Sequence, residues 1–172
     1  LAESGLLPSL SNDYLQMAMA PNMRDDKPYG FVCDWVYVKI KNPKNSLFTR
    51  GFDSDEVIPI PINHGEGNFK FDSSFDVLSI ESTQFYYCDE NGVVDHAYPT
   101  NPNGTDHNIA GLCNKQGNVL GMMPHPERAS FGYQIPVSLH HQLANERRNN
   151  DLESGICRGI FSSLAEYIKG QA

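Results

Sequence analysis

The feature that most constrains the fold is a short apolar run at residues 118–123, which ends at Pro124-His125-Pro126-Glu127. Turn residues precede the run, and it is too short for a helix, so it predicts a buried strand. Proline fixes its own φ and disfavours the helical conformation in the residue before it. We therefore expect the chain to leave this strand in an extended conformation.

That conformation predicts a contact between His125 and Glu127, because residues two apart on an extended chain point the same way. The carboxylate would accept the Nδ1 proton, fix the tautomer and stabilise an imidazolium, as in a nucleophile–histidine–carboxylate triad. An isolated His-x-Glu pair is more often a surface hydrogen bond. However, open α/β sheets place their sites at the carboxyl ends of strands. We therefore take His125 and Glu127 as candidate catalytic residues.

A second candidate site is the His-Gly-Glu-Gly segment at residues 64–67, which follows a predicted strand at residues 56–62. Pro59 and Pro61 confine that strand to a sheet edge or give it an irregular end. Glycine lets a ligand approach main-chain N–H groups closely. The residues alone nevertheless favour a tight turn with His64 and Glu66 in solvent.

Several stretches together resemble one family, the glutaminase (class I glutamine amidotransferase) subunit of phosphoribosylformylglycinamidine synthase. They lie in the family's order and cover roughly residues 1 to 130. The matching stretches are Gly-Leu-Leu-Pro at 5–8, Phe-Val-Cys-Asp-Trp-Val at 31–36, Pro-Ile-Asn-His-Gly-Glu-Gly at 61–67, Asn-Pro-Asn-Gly-Thr at 101–105, Ile-Ala-Gly at 109–111, and the segment 117–128 that contains Met-Met-Pro-His-Pro-Glu-Arg.

The resemblance implies an α/β fold with a flavodoxin-like open sheet and flanking helices, as in class I amidotransferases. Residues 1–172 would form the C-terminal portion of one such domain, incomplete at its N-terminus. The family's nucleophilic cysteine would lie in a strand-to-helix turn just before Leu1. The 64–67 loop would line the glutamine pocket, with the backbone of His64 and Gly65 holding the amino-acid end of glutamine. Asn103-Gly104 would lie near the active-site side.

The implied function is the glutaminase component of phosphoribosylformylglycinamidine synthase, in cytoplasmic purine nucleotide biosynthesis. Glutamine would be hydrolysed through a cysteine thioester, and ammonia would pass to a synthetase subunit of the same complex; a small third subunit is a further candidate partner. We expect no cofactor in this chain, and ATP and magnesium on the synthetase. Two alternatives remain: a non-catalytic scaffold with an incomplete site, and another class I amidotransferase or cysteine hydrolase.

Composition narrows the other classes of function. The formal charge of −8 argues against a nucleic-acid partner, and no apolar run approaches the length of a membrane span. The side chains of His140 and His141 diverge in both a helix and a strand, so we predict no metal site there.

The cysteines are widely spaced without a Cys-x-x-Cys pair, which predicts buried, reduced thiols. Cys157, early in a predicted helix, is the weak alternative nucleophile. They are Cys33, Cys88, Cys113 and Cys157.

The remaining elements follow from residue patterns. β-favouring residues predict strands at 31–40, 75–81, 83–88 and 108–113, with a hairpin-type turn at 89–92. Residues 1–10 are expected to be the end of a helix. An apolar stripe with four-residue spacing predicts a helix over residues 151–169, packed on the sheet, with Asp151 or Ser154 at its start and Gly170 at its end.

Overall fold

The structure, a computed structural model, describes residues 1–8, 15–74, 76–79, 81–139 and 154–170. Its centre is a five-stranded antiparallel sheet in the order β5-β4-β7-β8-β9, and β1–β6 and β2–β3 form two smaller antiparallel pairs. In chain order the elements are β1 (Met17–Ala20), β2 (Met23–Arg24), β3 (Lys27–Pro28), β4 (Val32–Lys41), β5 (Val57–His64), β6 (Asn68–Phe71), β7 (Gln84–Cys88), β8 (Ile109–Cys113), β9 (Leu120–Met122) and the helix α1 (Arg158–Lys169).

Strand β4 organises the sheet, and the strand predicted at residues 31–40 is confirmed. It pairs with β5 on one side and with β7 on the other. Val36, Val38 and Ile40 are buried on one face, because alternate side chains of a strand point to opposite faces. Lys39 and Lys41 therefore project from the other face.

Strand β5 lies at one edge of the sheet, as its two prolines predict. Proline lacks the N–H that an interior strand would donate on its free side, so Pro59 and Pro61 are tolerated only there. The strand runs to His64 and so delivers the 64–67 loop directly.

The strand predicted at residues 118–123 is shorter and less buried than expected. Only Leu120–Met122 pairs with β8, and this strand, β9, is the opposite edge of the sheet and is half-buried. The Oδ1 of Asn114 accepts hydrogen bonds from the N–H groups of Asn118 and Val119, which holds them in a turn. The side chain thus competes with the strand ladder.

The strand predicted at residues 75–81 is wrong in its described part, which contains the 3-10 helix Val77–Ser79. The Oδ1 of Asp76 accepts the Leu78 N–H and so starts a turn. The 89–92 turn forms, with the Gly92 N–H donating to the Asp89 oxygen at 3.0 Å and Gly92 at φ 80°. It is not a hairpin, because no strand of the sheet follows before β8.

The start of the chain also differs from expectation. Residues 2–5 form turns rather than the end of a helix. Met17, in β1, is buried, whereas Met19 is 45% exposed. The β1–β6 and β2–β3 pairs were not predicted, because these segments lack the regular alternation of apolar residues by which a strand is recognised.

Helix α1 begins at Arg158, later than predicted. Cys157 occupies the N-cap without a side-chain hydrogen bond, so Ser154 is not the cap. Gly170 is the C-cap but has right-handed backbone angles (φ −74°), not the left-handed ones of a C′ glycine. Asp151 and the His140–His141 pair lie outside the described residues. Ile160 is buried in the main core, whereas Phe161 and Ile168 remain exposed.

The fold class is α/β, with an open sheet and a helix against it, as predicted. The larger core cluster joins β4, β5 and β7 to the start of α1 through Cys157 and Ile160. The smaller cluster, which includes Leu7, Met17 and Phe69, packs against the opposite face of β8. The candidate site lies where the chain leaves β9.

Candidate functional site

His125 and Glu127 are in contact. The Nδ1 atom of His125 lies 2.7 Å from Oε1 of Glu127. The backbone between them is not extended, because Pro126 begins the 3-10 helix Pro126–Ala129. Proline suits the first position of a helix, where its φ is already set and its missing N–H is not needed. The turn still brings both side chains together, so the predicted contact forms by a different local structure.

Main-chain hydrogen bonds fix the position of His125. Its N–H donates to the Pro61 oxygen of β5 at 2.8 Å, and the Met123 N–H donates to the Ala110 oxygen of β8 at 2.9 Å. The segment that carries the imidazole is therefore tied to two strands. Arg128 extends the charged pair, with its Nε 3.7 Å from Glu127 Oε1.

The pair opens into a cleft of about 550 Å³ between β9, α1 and the start of the chain. Leu7, Met122 and Phe161 contribute to its mostly apolar wall, and His125 and Glu127 are its ionisable side chains. His125 is 30% exposed and Glu127 56% exposed at the side chain. Since Nδ1 faces the carboxylate, Nε2 is the atom left for a reacting group.

None of the four cysteines lines this cleft. Burial raises the pKa of Cys88, of Cys113 and of Cys157, to about 12, 11 and 12 respectively, so these thiols stay protonated. The negative charge of Glu127 adds to the shift at Cys157, which is the opposite of what a nucleophilic thiolate needs. The prediction of buried thiols is wrong for Cys33, which is exposed.

The 64–67 loop is built around Asn22, a fully buried residue to which sequence reasoning assigned no role. Its Oδ1 accepts from the Gly67 N–H at 2.9 Å and lies 3.0 Å from His64 Nδ1. Its Nδ2 donates to the oxygens of Gly30 and His64, each at 2.8 Å. Asn22 therefore uses its full hydrogen-bonding capacity to fix this loop.

His64 does not project into solvent as the residues alone suggest. It is 7% exposed, and Nδ1 pairs with Asn22. Burial, and then the nearby charge of His125, lower the pKa of His64 to about 4, so its ring is neutral near pH 7. The loop and His125 are joined through one strand, because the His125 N–H donates to the Pro61 oxygen of β5, which ends at His64.

The two loop glycines have different surroundings. Gly67 is buried against the His64 ring, so that a Cβ there would lie within 3.0 Å of three ring atoms. Gly65 is partly exposed, and a Cβ there would meet only Phe31 Cδ2, at 3.8 Å. Asn103 also holds the loop, because its Nδ2 donates to the Gly67 oxygen at 2.7 Å. Gly65 is partly exposed and Glu66 is exposed, and the Gly65 oxygen accepts the Asn22 N–H at 2.9 Å.

The sequence did not indicate the role of Asn22. A buried asparagine in a loop is recognisable only from the backbone groups that surround it, and these come from segments 8 and 42 residues away.

Within the described residues, no group of three or more His, Cys, Asp or Glu side chains could hold a metal ion. None of the described helices has the length and apolar character to cross a membrane.

Comparison with known protein families shows which family this chain belongs to. The family model of the CobB/CobQ-like glutamine amidotransferase domain matches residues 1–168. The chain belongs to this glutamine amidotransferase family. Curated relatives of this amidotransferase chain include phosphoribosylformylglycinamidine synthase subunit PurQ of Pyrococcus furiosus, 42% identical over 98% of the chain and 59% of the relative. The same subunit of Methanococcus maripaludis strain C7 is 37% identical over 95% of the chain and 60% of the relative.

A solved structure agrees with the family assignment. A chain of the structure of PurLQS from Thermotoga maritima superposes with a TM-score of 0.54 and 26% identity, over 91% of the amidotransferase chain and 55% of that chain. The amidotransferase chain thus spans about 60% of the length of curated relatives such as the Methanococcus maripaludis subunit.

Proposed function

We propose that this chain carries the histidine and carboxylate of a glutaminase that serves phosphoribosylformylglycinamidine synthase in purine nucleotide biosynthesis. The observation that carries the proposal is the 2.7 Å contact between His125 and Glu127 at the end of an apolar cleft. The family match and the PurQ relatives support the same reading.

The nucleophile in this proposal is a cysteine from outside the 172 residues. The cleft that contains His125 has no cysteine in its described lining, and three of the chain's thiols are buried and held protonated. The exposed edge of β9 and the apolar wall beside it suit packing against a segment that brings this cysteine to Nε2 of His125.

The reaction has two steps. The thiolate attacks the glutamine carboxamide, and His125, oriented by Glu127, gives a proton to the departing nitrogen, so that ammonia leaves and a glutamyl thioester remains. His125 then takes a proton from water, which attacks the thioester and releases glutamate and the thiol. Protonation is required because a free amide anion is a poor leaving group.

We further propose that the backbone at Gly65 holds the amino-acid end of glutamine. The His64 side chain is buried and bound to Asn22, so the loop presents its main chain instead. Ammonia would pass to a synthetase subunit that binds ATP and magnesium, with a small third subunit as a further partner. The complex would act in the cytoplasm.

The test is glutamate release by the complete amidotransferase assembled with its synthetase partner. His125→Ala is expected to abolish turnover, with loss of at least about 10²-fold, whereas Lys115→Ala, at an exposed turn, should not change it. Retained activity in His125→Ala would remove this residue from the mechanism.

The same assay separates the alternatives. Absence of glutamate release from the unaltered complex would favour a scaffold role. Transfer of ammonia to acceptors other than formylglycinamide ribonucleotide, and not to that compound, would point to another class I amidotransferase.

A further inference from the structure

A second cavity lies on the outer face of the sheet and is lined by positively charged or protonatable side chains. It is open to solvent and has a volume of about 270 Å³. Lys39 and Lys41 enter it from β4, because residues two apart on a strand share a face. His96 and His107 enter it from the connection between β7 and β8.

The charge of this cavity is opposite to that of the chain. The chain has 21 acidic residues against 13 lysines and arginines, yet the cavity lining has two lysines, two histidines and one carboxylate, Asp55. Another cavity is lined by Asp34, Asp89 and Glu90 instead. The cavity is therefore locally cationic on a chain whose formal charge is −8.

These cationic groups are largely free to bind a ligand. Lys39 Nζ donates one hydrogen bond, to the Gly92 oxygen at 2.9 Å, which leaves two of its three N–H donors. Lys41 makes no side-chain hydrogen bond or ion pair with the described residues. Asp106, next to His107, is already paired with Lys70 Nζ at 2.6 Å and does not neutralise the cavity.

The rest of the lining is apolar or aromatic. Leu78 and Val94 are 51% and 39% exposed at the cavity, and Tyr86 stands opposite Lys39 in the sheet register. Burial raises the pKa of Tyr86, so its phenol adds no negative charge. Such a lining suits a ligand that combines an anionic group with a small uncharged body.

We propose that this cavity binds a small phosphate ester, with its phosphate on Lys39 and Lys41 and its uncharged body against Leu78 and Val94. Ammonium groups bind phosphate oxygens through charge-assisted hydrogen bonds. The volume is below the range of about 300–1,000 Å³ typical of drug-sized ligands, so a single phosphorylated sugar fits the size class. The inference is independent of the proposed glutaminase function.

The experiment is isothermal titration calorimetry on the complete protein at low ionic strength. The protein is titrated with ribose 5-phosphate and, separately, with uncharged ribose. We expect saturable binding of one ribose 5-phosphate per chain and none of ribose. Lys41→Gln should weaken binding about tenfold, the effect of one charge-assisted hydrogen bond.

Lys115→Gln is the matched control, since it removes one exposed lysine outside the cavity and should leave binding unchanged. Lys41 is exposed, so its replacement should not unfold the protein, and an unchanged melting temperature checks this. The proposal is overturned if no saturable binding occurs, if ribose binds equally, or if Lys41→Gln and Lys115→Gln behave alike.

Discussion

Replacing Gly67 with alanine tests the packing that shapes the 64–67 loop. The new methyl group would lie within 3.0 Å of Cε1, Nδ1 and Nε2 of His64, a ring that is 7% exposed and bonded to Asn22. The ring cannot stay in place. Either it moves and loses the Asn22 hydrogen bond, or the loop backbone shifts.

The cost follows from these contacts. Inserting a methyl group into a packed interior costs about 1–3 kcal/mol, and loss of the hydrogen bond costs about 1 kcal/mol. Alanine recovers about 0.4–1 kcal/mol by restricting the unfolded chain. The net loss of unfolding free energy is therefore about 1–3.6 kcal/mol. With a urea dependence of about 2 kcal/mol per M, the midpoint should fall by roughly 0.5–1.8 M.

The assay is urea unfolding of the complete protein, followed by circular dichroism. Gly65→Ala is the matched control two residues away, where the methyl group meets only Phe31 at an ordinary 3.8 Å. Its midpoint should equal or slightly exceed that of the unaltered protein. If Gly67→Ala unfolds within about 0.2 M of Gly65→Ala, the packing argument is refuted, because that gap is smaller than the predicted shift.

Three further predictions concern charge and thiol chemistry. The pKa of His64 falls from about 6.5 in the unfolded chain to about 4 in the folded one, so the unfolded chain binds a proton at this residue that the folded chain does not. The free energy of unfolding should therefore drop as the pH is lowered from about 6.5 to 4. His64→Gln should flatten that part of the pH profile, measured by urea unfolding at each pH. Glu127→Gln in the assembled amidotransferase should lower kcat by roughly 10²-fold with little change in KM, since it removes the group that orients His125; an unchanged kcat in steady-state glutamate release would contradict that role. Alkylation mapped by mass spectrometry should label one of the chain's thiols in the folded protein, Cys33, and reach the buried three only in denaturant; these are Cys88, Cys113 and Cys157.

The sequence predicted the central part of the sheet because its signals there are local. The β-branched and aromatic residues of β4 predicted this strand, and the structure confirms it. The position of β5 at the edge of the sheet follows from Pro59 and Pro61. The strand predicted at residues 75–81 failed because one side chain, Asp76, redirects the backbone through a hydrogen bond. A propensity summed over a window does not register that competition.

The site was predictable in its residues but not in its construction. Spacing alone indicated the contact between His125 and Glu127, although a 3-10 turn rather than an extended chain produces it. The role of Asn22 was not predictable, because its hydrogen bonds join three segments that are distant in sequence. Sequence patterns encode which face a residue occupies, not which backbone groups will need a partner there.

His64 and His125 are neighbouring imidazoles with different surroundings. His64 is surrounded by main-chain groups and an uncharged amide, with no carboxylate in hydrogen-bonding contact, and its pKa is held low. His125 is partly exposed and has the Glu127 carboxylate 2.7 Å from Nδ1. A positive charge on His125 further disfavours one on His64. Because the loop histidine stays neutral, the loop can lie next to the catalytic candidate without repelling the imidazolium on which the proposed transfer to ammonia depends.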